Sequence, residues 1–210
     1  MSLVTQLSSQ VGDRTEEANR AAAERCLEHP ELLGEIAEPL AGKDAALIGD
    51  CAEVMTKVAE RRPALVVPYF AQLTELLSHK TTRVRWEAMH ALALIAELAP
   101  ERAAALLPRL EQLIRKDPST IVRDYAIDAL GQTAKAGADL AQRSYPLLRE
   151  ALTAWEGKHA GRALNGLREV VGQAPRLALE AMQIGHDYAE HAKPTVRKAA
   201  KALVKAAERA

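Results

Sequence analysis

The chain has 210 residues, 48% of them hydrophobic and 27% charged, a balance that excludes wholesale disorder and leaves room for one large core or two small ones. Its 28 Lys and Arg are matched by 28 Asp and Glu, so no global field draws it to nucleic acid or an anionic membrane, and electrostatic recognition must be local. Two cysteines exclude a disulfide framework, and an aromatic content of 3%, with Ala and Leu filling the apolar positions, points to helix rather than sheet.

Residues 1–6 lack the basic start and apolar stretch of a signal peptide, and no apolar run approaches the roughly 18 residues of a membrane span, so a cytoplasmic protein is expected. Ala18, Ala21, Ala22 and Cys26 fall at helical spacing, so 13–30 is read as a helix. Residues 1–29 then form capping helices or a degenerate repeat. Five helix pairs follow, over 30–63, 64–100, 101–137, 138–175 and 176–210. Their first helices are expected at 31–41, 64–78, 101–115, 138–155 and 176–191, and their second at 44–60, 82–98, 119–134, 158–172 and 194–209. Asp44, Thr82 and Ser119 are the expected N-caps, each placed to accept a free backbone N–H. Pro63, Pro100 and Pro175 fall at the joins, where a missing N–H costs nothing, whereas Pro68, Pro108 and Pro146 fall inside first helices and should kink them.

The pairs repeat. Val84-Arg85-Trp86-Glu87-Ala88-Met89-His90-Ala91-Leu92 matches Val122-Arg123-Asp124-Tyr125-Ala126-Ile127-Asp128-Ala129-Leu130 at five of nine positions, with an offset of 38. Further steps of 37 reach His159 and Val196, and a step back reaches Leu47. One column reads Cys51, Ala88, Ala126, Ala163 and then Ala199 or Ala200, small in every unit. Four residues on, the next reads Met55, Leu92, Leu130, Leu167 and Leu203. The small residue lets neighbouring helices approach, and the large one fills the groove of the next repeat, so stacking buries a core that one repeat alone could not.

The second-helix pattern Val-Arg-x-x-Ala-x-x-Ala-Leu and the proline near the end of each unit resemble the HEAT-repeat family, over roughly residues 30–210. The resemblance implies an all-α, right-handed α-α superhelix, a HEAT/armadillo-type solenoid of five to six helix pairs. It also implies that the Arg of Val-Arg pairs with an acidic residue of the preceding turn, as Arg123 could with Asp117. About function the pattern is nearly silent.

Chemistry-bearing motifs are scarce. No Gly-rich phosphate loop, nucleophile elbow or H-E-x-x-H occurs, and Cys51 sits in the small-residue column as packing. His186, Asp187, Glu190 and His191 offer two i, i+4 pairs on a helix, short of the three or four ligands a metal site uses. No enzyme activity, cofactor or metal is expected.

The most informative feature is a column of lysines, Lys43, Lys80, Lys116, Lys158 and Lys193, one in the turn within each pair. With Arg83, Arg85, Arg115, Arg123, Arg162, Arg197 and Lys198 they outnumber the nearby Asp44, Glu87, Asp117, Asp124 and Glu156 about two to one. Stacked turns would line these cations along one edge. Trp86 opens a second helix and Trp155 closes a first one, both near that edge. Lys43, Lys80, Arg83, Trp86, Lys116, Trp155, Lys158, Arg162 and Lys193 are therefore the candidate partner-binding residues. The expected function is a non-enzymatic scaffold that binds another protein or peptide, an acidic one by charge, through the concave face or the basic turn ridge. The alternative is a nucleic-acid-binding protein of the alkylated-DNA glycosylase type, for which Trp86 with Glu87 or Trp155 with Glu156 would supply aromatic and carboxylate. Zero net charge and few aromatics weigh against it.

Overall fold

The computed structural model describes residues 2–210; Met1, the first residue of the expected N-terminal segment, lies outside them. The described residues form twelve α-helices joined by 3-10 turns, with no strand. They fall into two compact units, one ending at Leu98 and one running from Ala99 to Ala210.

In the first unit a short N-terminal helix α1 (Ser8–Val11) leads into α2 (Glu17–Glu28), α3 (Leu32–Ala37), α4 (Ala45–Arg61), α5 (Phe70–Glu75) and α6 (Thr82–Ile95). Helices α2, α4 and α6 pack side by side in sequence order, with α3 and α5 against them. The second unit repeats the plan with longer first helices: α7 (Pro100–Lys116), α8 (Thr120–Lys135), α9 (Ala138–Gly157), α10 (Ala160–Gln173), α11 (Ala178–Asp187) and α12 (Pro194–Ala207). Here α8, α10 and α12 form one layer, and α7, α9 and α11 the other. The two columns read from the sequence are the core of these layers. Cys51, Ala88, Ala126, Ala163 and Ala200 are fully buried, as are Met55, Leu92, Leu130, Leu167 and Leu203.

The small residues serve close approach. A Cβ on Gly131 of α8 would lie 3.0 Å from Gly166 Cα of α10, and one on Gly166 would lie 2.5 Å from Leu148 Cδ2 of α9.

Three local expectations need correction. Thr82 is the first residue of α6 rather than its cap; Thr81 holds the N-cap position without a side-chain bond, and its own N–H donates to His79 Nδ1 at 3.0 Å. Asp44 and Ser119 do cap their helices, accepting from Ala46 and Leu47 and from Val122. The helix expected over 64–78 is broken into 3-10 turns at Pro63–Leu65 and Val67–Tyr69 before α5 begins, because Pro68 lacks the N–H that would meet the Ala64 carbonyl and its ring crowds that carbonyl. In α9 the torsions leave helical values at Ala154, Trp155 and Glu156, not at Pro146, which sits exposed within the helix.

Candidate functional site

Within each pair the turn joining first to second helix carries its lysine, and Lys43, Lys80, Lys116, Lys158 and Lys193 are all exposed. None of these five ammonium groups joins an ion pair among the described residues. In the second unit the turns are neighbours. Arg123, at the start of α8, donates through Nε to His159 Nε2 at the start of α10, 3.0 Å away, and a Cβ on Gly161 would lie 3.7 Å from Val196 Cγ2 at the start of α12. Lys116, Lys158 and Lys193 therefore follow one another along that unit's edge.

The neighbouring arginines are used differently. Arg85 donates to the main-chain oxygens of His79 and Lys80 at 2.9 and 3.1 Å, and Arg197 to those of His191 and Ala192 at 2.8 and 3.0 Å. Arg123 donates to Asp117 O in the same way. Asp117 thus holds Arg123 through its main-chain oxygen, while its carboxylate adds charge attraction and accepts the Ser119 N–H at 2.8 Å. The reason is geometric: the carbonyls ending a first helix have no intrahelical donor, and a planar guanidinium can serve two at once.

Arg83 and Arg162 turn away from the edge onto second-helix carboxylates. Arg83 Nη2 lies 2.8 Å from Asp50 Oδ1 and 2.7 Å from Glu53 Oε2. Both carboxylates are buried, and both also accept from the side-chain amide of Asn19. Burial opposes ionisation of Asp50, but bonds from Ser9, Asn19 and Arg83 outweigh it and hold its carboxyl below the ordinary 3.8. Arg162 pairs with Asp128 and reaches Asp124 at 3.3 Å. Burial pushes the Asp128 carboxyl above its ordinary value despite Arg162.

The two tryptophans occupy unlike places. Trp86 is part-buried and donates from Nε1 to Glu87 Oε1 at 2.7 Å, on the wall of a cleft of about 360 Å³ that Asp13, Glu16, Asp50, Glu53 and Arg83 also line. Burial pushes the Glu87 carboxyl above its ordinary 4.5, and Glu53 adds to this against the Trp86 bond. Trp155 is 44% exposed and stands on the turn edge. The Arg123 guanidinium lies 3.7 Å from its ring centroid, and its Nε1 donates to Ile114 O at 2.8 Å. Its backbone is left-handed (φ 53°), as are Glu156 (φ 58°) and Gly157 (φ 72°). For the two residues with side chains this costs about 1–2 kcal/mol each. The cation–π stack returns about 0.5–2 kcal/mol.

His159, in the column held elsewhere by Leu47, Val84, Val122 and Val196, is buried beneath this turn. Because Arg123 Nε donates to its Nε2, the proton is on Nδ1, which donates to Asp124 Oδ1 at 2.7 Å. This His–Arg–Asp link could not be read from the sequence, although a histidine in an apolar column was its signal.

Among the described residues no three His, Cys, Asp or Glu could share a metal ion. Helix α11 ends at Asp187, so Glu190 and His191 do not share its face with His186 and Asp187 as expected; His191 stacks on Tyr188 and accepts the Lys193 N–H. Cys26 and Cys51 are buried, their thiols pushed up to about 11 and about 12, far from a reactive thiolate. No helix of the described residues is long and apolar enough to cross a membrane.

Residues 82–133 match the model of a HEAT-like repeat family. No curated protein sequence matches the chain. Among solved structures, a designed armadillo repeat protein in complex with a (KR)4 peptide superposes with a TM-score of 0.74 at 19% identity, over 97% of each chain. Computationally designed armadillo repeat proteins for modular peptide recognition give 0.72 at 19% identity, over 97% of this chain and 98% of theirs. The archaeal HEAT-like repeats protein from Thermococcus onnurineus NA1 gives 0.58 at 17% identity, over 98% and 97%. The chain thus carries a HEAT-like repeat at its middle and has the fold of armadillo and HEAT repeat proteins.

Proposed function

We propose that the chain is a non-catalytic scaffold that holds an acidic segment of a protein partner along its lysine-bearing turn edges. The observation that carries this reading is the division of labour among cations. Arg83, Arg85, Arg115, Arg123, Arg162 and Arg197 are tied to carboxylates or carbonyls of the fold, whereas the five turn lysines are exposed and unpaired among the described residues. A cation that the fold consumes has little left for a partner; an unpaired one is open to it.

The same accounting argues against the cleft beside Trp86 as the main site. Its carboxylates would invite a basic peptide, the kind bound by one of the designed armadillo proteins, but Asp50 and Glu53 are already met by Arg83 and Asn19, and Glu16 and Glu53 by Lys57. The fold therefore supports an extended-peptide partner, and the charge of this chain's turns supports an acidic one.

Helices packed about 10 Å apart and an extended chain rising about 3.4 Å per residue mean that a glutamate-rich peptide of about eight residues spans three turns. Such a peptide, fluorescein-labelled, is titrated into the protein and into the triple variant Lys116→Glu, Lys158→Glu, Lys193→Glu. Affinity is expected to fall by at least about tenfold with the melting temperature unchanged. Unchanged affinity, loss of affinity and stability together, or tighter binding of duplex DNA than of the peptide would each contradict the reading.

A further inference from the structure

In the second unit the Trp155 turn differs from the others by more than its charge. An indole of this size, 44% exposed, is held in a left-handed backbone that an L residue avoids, and two separate contacts fix it there. Arg123, itself buried, covers one face of the ring, and the bond to Ile114 O consumes Nε1, so the surface left open belongs to the opposite side of the ring. Lys116 lies two residues beyond Ile114, Lys158 three beyond Trp155, and both ammonium groups are exposed. Ile121, 40% exposed, is two residues before the stacked Arg123 on α8. Glu156 is the counter-charge within the turn, and Arg115 close by is already satisfied by Glu111 and Glu150.

We propose that the Trp155 turn anchors one apolar side chain of an acidic protein segment, with Lys116 and Lys158 meeting the carboxylates on either side of it. This rests on the scaffold reading and names the chemistry its partner must carry: an apolar residue flanked by Asp or Glu. The rigid ring supplies apolar area without the entropy loss that a mobile side chain would suffer on binding. A single-stranded nucleic acid is the competing occupant of an aromatic among lysines. It is disfavoured because stacking platforms leave ring faces open to successive bases, whereas Arg123 already covers one face of this indole and Tyr188, farther along the edge, is stacked on His191.

The test uses two glutamate-rich peptides of about eight residues, identical except for a central leucine or glycine, and a dT oligonucleotide of equal length. Wild-type protein is expected to bind the leucine peptide at least about fivefold more tightly than the glycine peptide. In Trp155→Ala that preference disappears while affinity for the glycine peptide is retained. Trp155→Phe, which keeps a ring over Arg123 should the alanine variant fail to fold, retains part of the preference. In Trp86→Phe, where Trp155 is the sole indole, the leucine peptide shifts its emission to the blue. A leucine preference equal in Trp155→Ala and wild type overturns the anchor and leaves the lysine scaffold standing. No binding of either peptide overturns both, and tighter binding of the oligonucleotide reassigns the edge to nucleic acid.

Discussion

Two residues carry opposite electrostatic burdens in the first unit. Asp50 is buried, yet its carboxyl is held below 3.8, so it contributes stability above the unfolded value that is lost as pH falls through the folded one. Glu87 is raised above 4.5, so its ionisation weakens the fold as pH climbs through that higher value. Acidification from neutrality should first strengthen the fold above about pH 4.5 and weaken it below about pH 4, and Glu87→Gln should shrink the first limb in pH-dependent melting, leaving the part that the raised Asp128 carboxyl contributes. Arg83→Ala leaves Asp50 and Glu53 without their guanidinium. It should cost about 2–3 kcal/mol in urea unfolding, less than a fully buried pair because Arg83 is itself partly solvated. At the turn, Glu156→Gly removes a left-handed side-chain residue and is expected to stabilise by about 1 kcal/mol, whereas Gly157→Ala adds one and should destabilise by a similar amount. Equal melting temperatures for those two variants would mean that the turn stores no strain.

At the scale of elements, the alternation of small and large columns made the helix pairs legible: a residue every 37 or 38 positions must be small because a neighbouring helix lies against it. Outside that column, Gly166 and Gly185 mark equally close approaches, where a Cβ would lie 2.5 Å from Leu148 Cδ2 and 2.6 Å from Val204 Cγ2. Gly166→Ala would drive a Cβ to 2.5 Å from Leu148 Cδ2, and we expect a loss of about 1–3 kcal/mol by denaturant unfolding, against a near-neutral Gly172→Ala, where no atom lies within 4 Å. What the periodicity could not convey is local. The first helix before α5 breaks at Pro68, whereas α7 runs on through Pro108, and the spacing of apolar residues is silent on that difference. The Thr81–Thr82 boundary is held by His79 Nδ1, which accepts the N–H of Thr81 at the cap position. The left-handed step at Trp155 had only Gly157 as its sequence signal, since the stack and the indole bond that sustain it come from residues 114 and 123, remote in sequence.

For the molecule as a whole, equal numbers of cations and anions conceal an unequal use of them. The arginines beside the turns are drawn onto the fold's own carboxylates and carbonyls, and the turn lysines are left outside. Composition revealed the lysine column but not which cations were already spent, because pairing depends on which helix faces which. That is why Arg83 and Arg162 stood among the candidate partner contacts and are tied up by Asp50, Glu53, Asp124 and Asp128. The most direct measurement is hydrogen–deuterium exchange of the protein with and without the leucine-centred acidic peptide. New protection confined to the turns at Lys116–Ser119 and Trp155–His159, with Lys193 at the edge, is the predicted result. Protection concentrated instead around Asp13–Glu16 and Arg83–Glu87, at the cleft beside Trp86, would contradict the account.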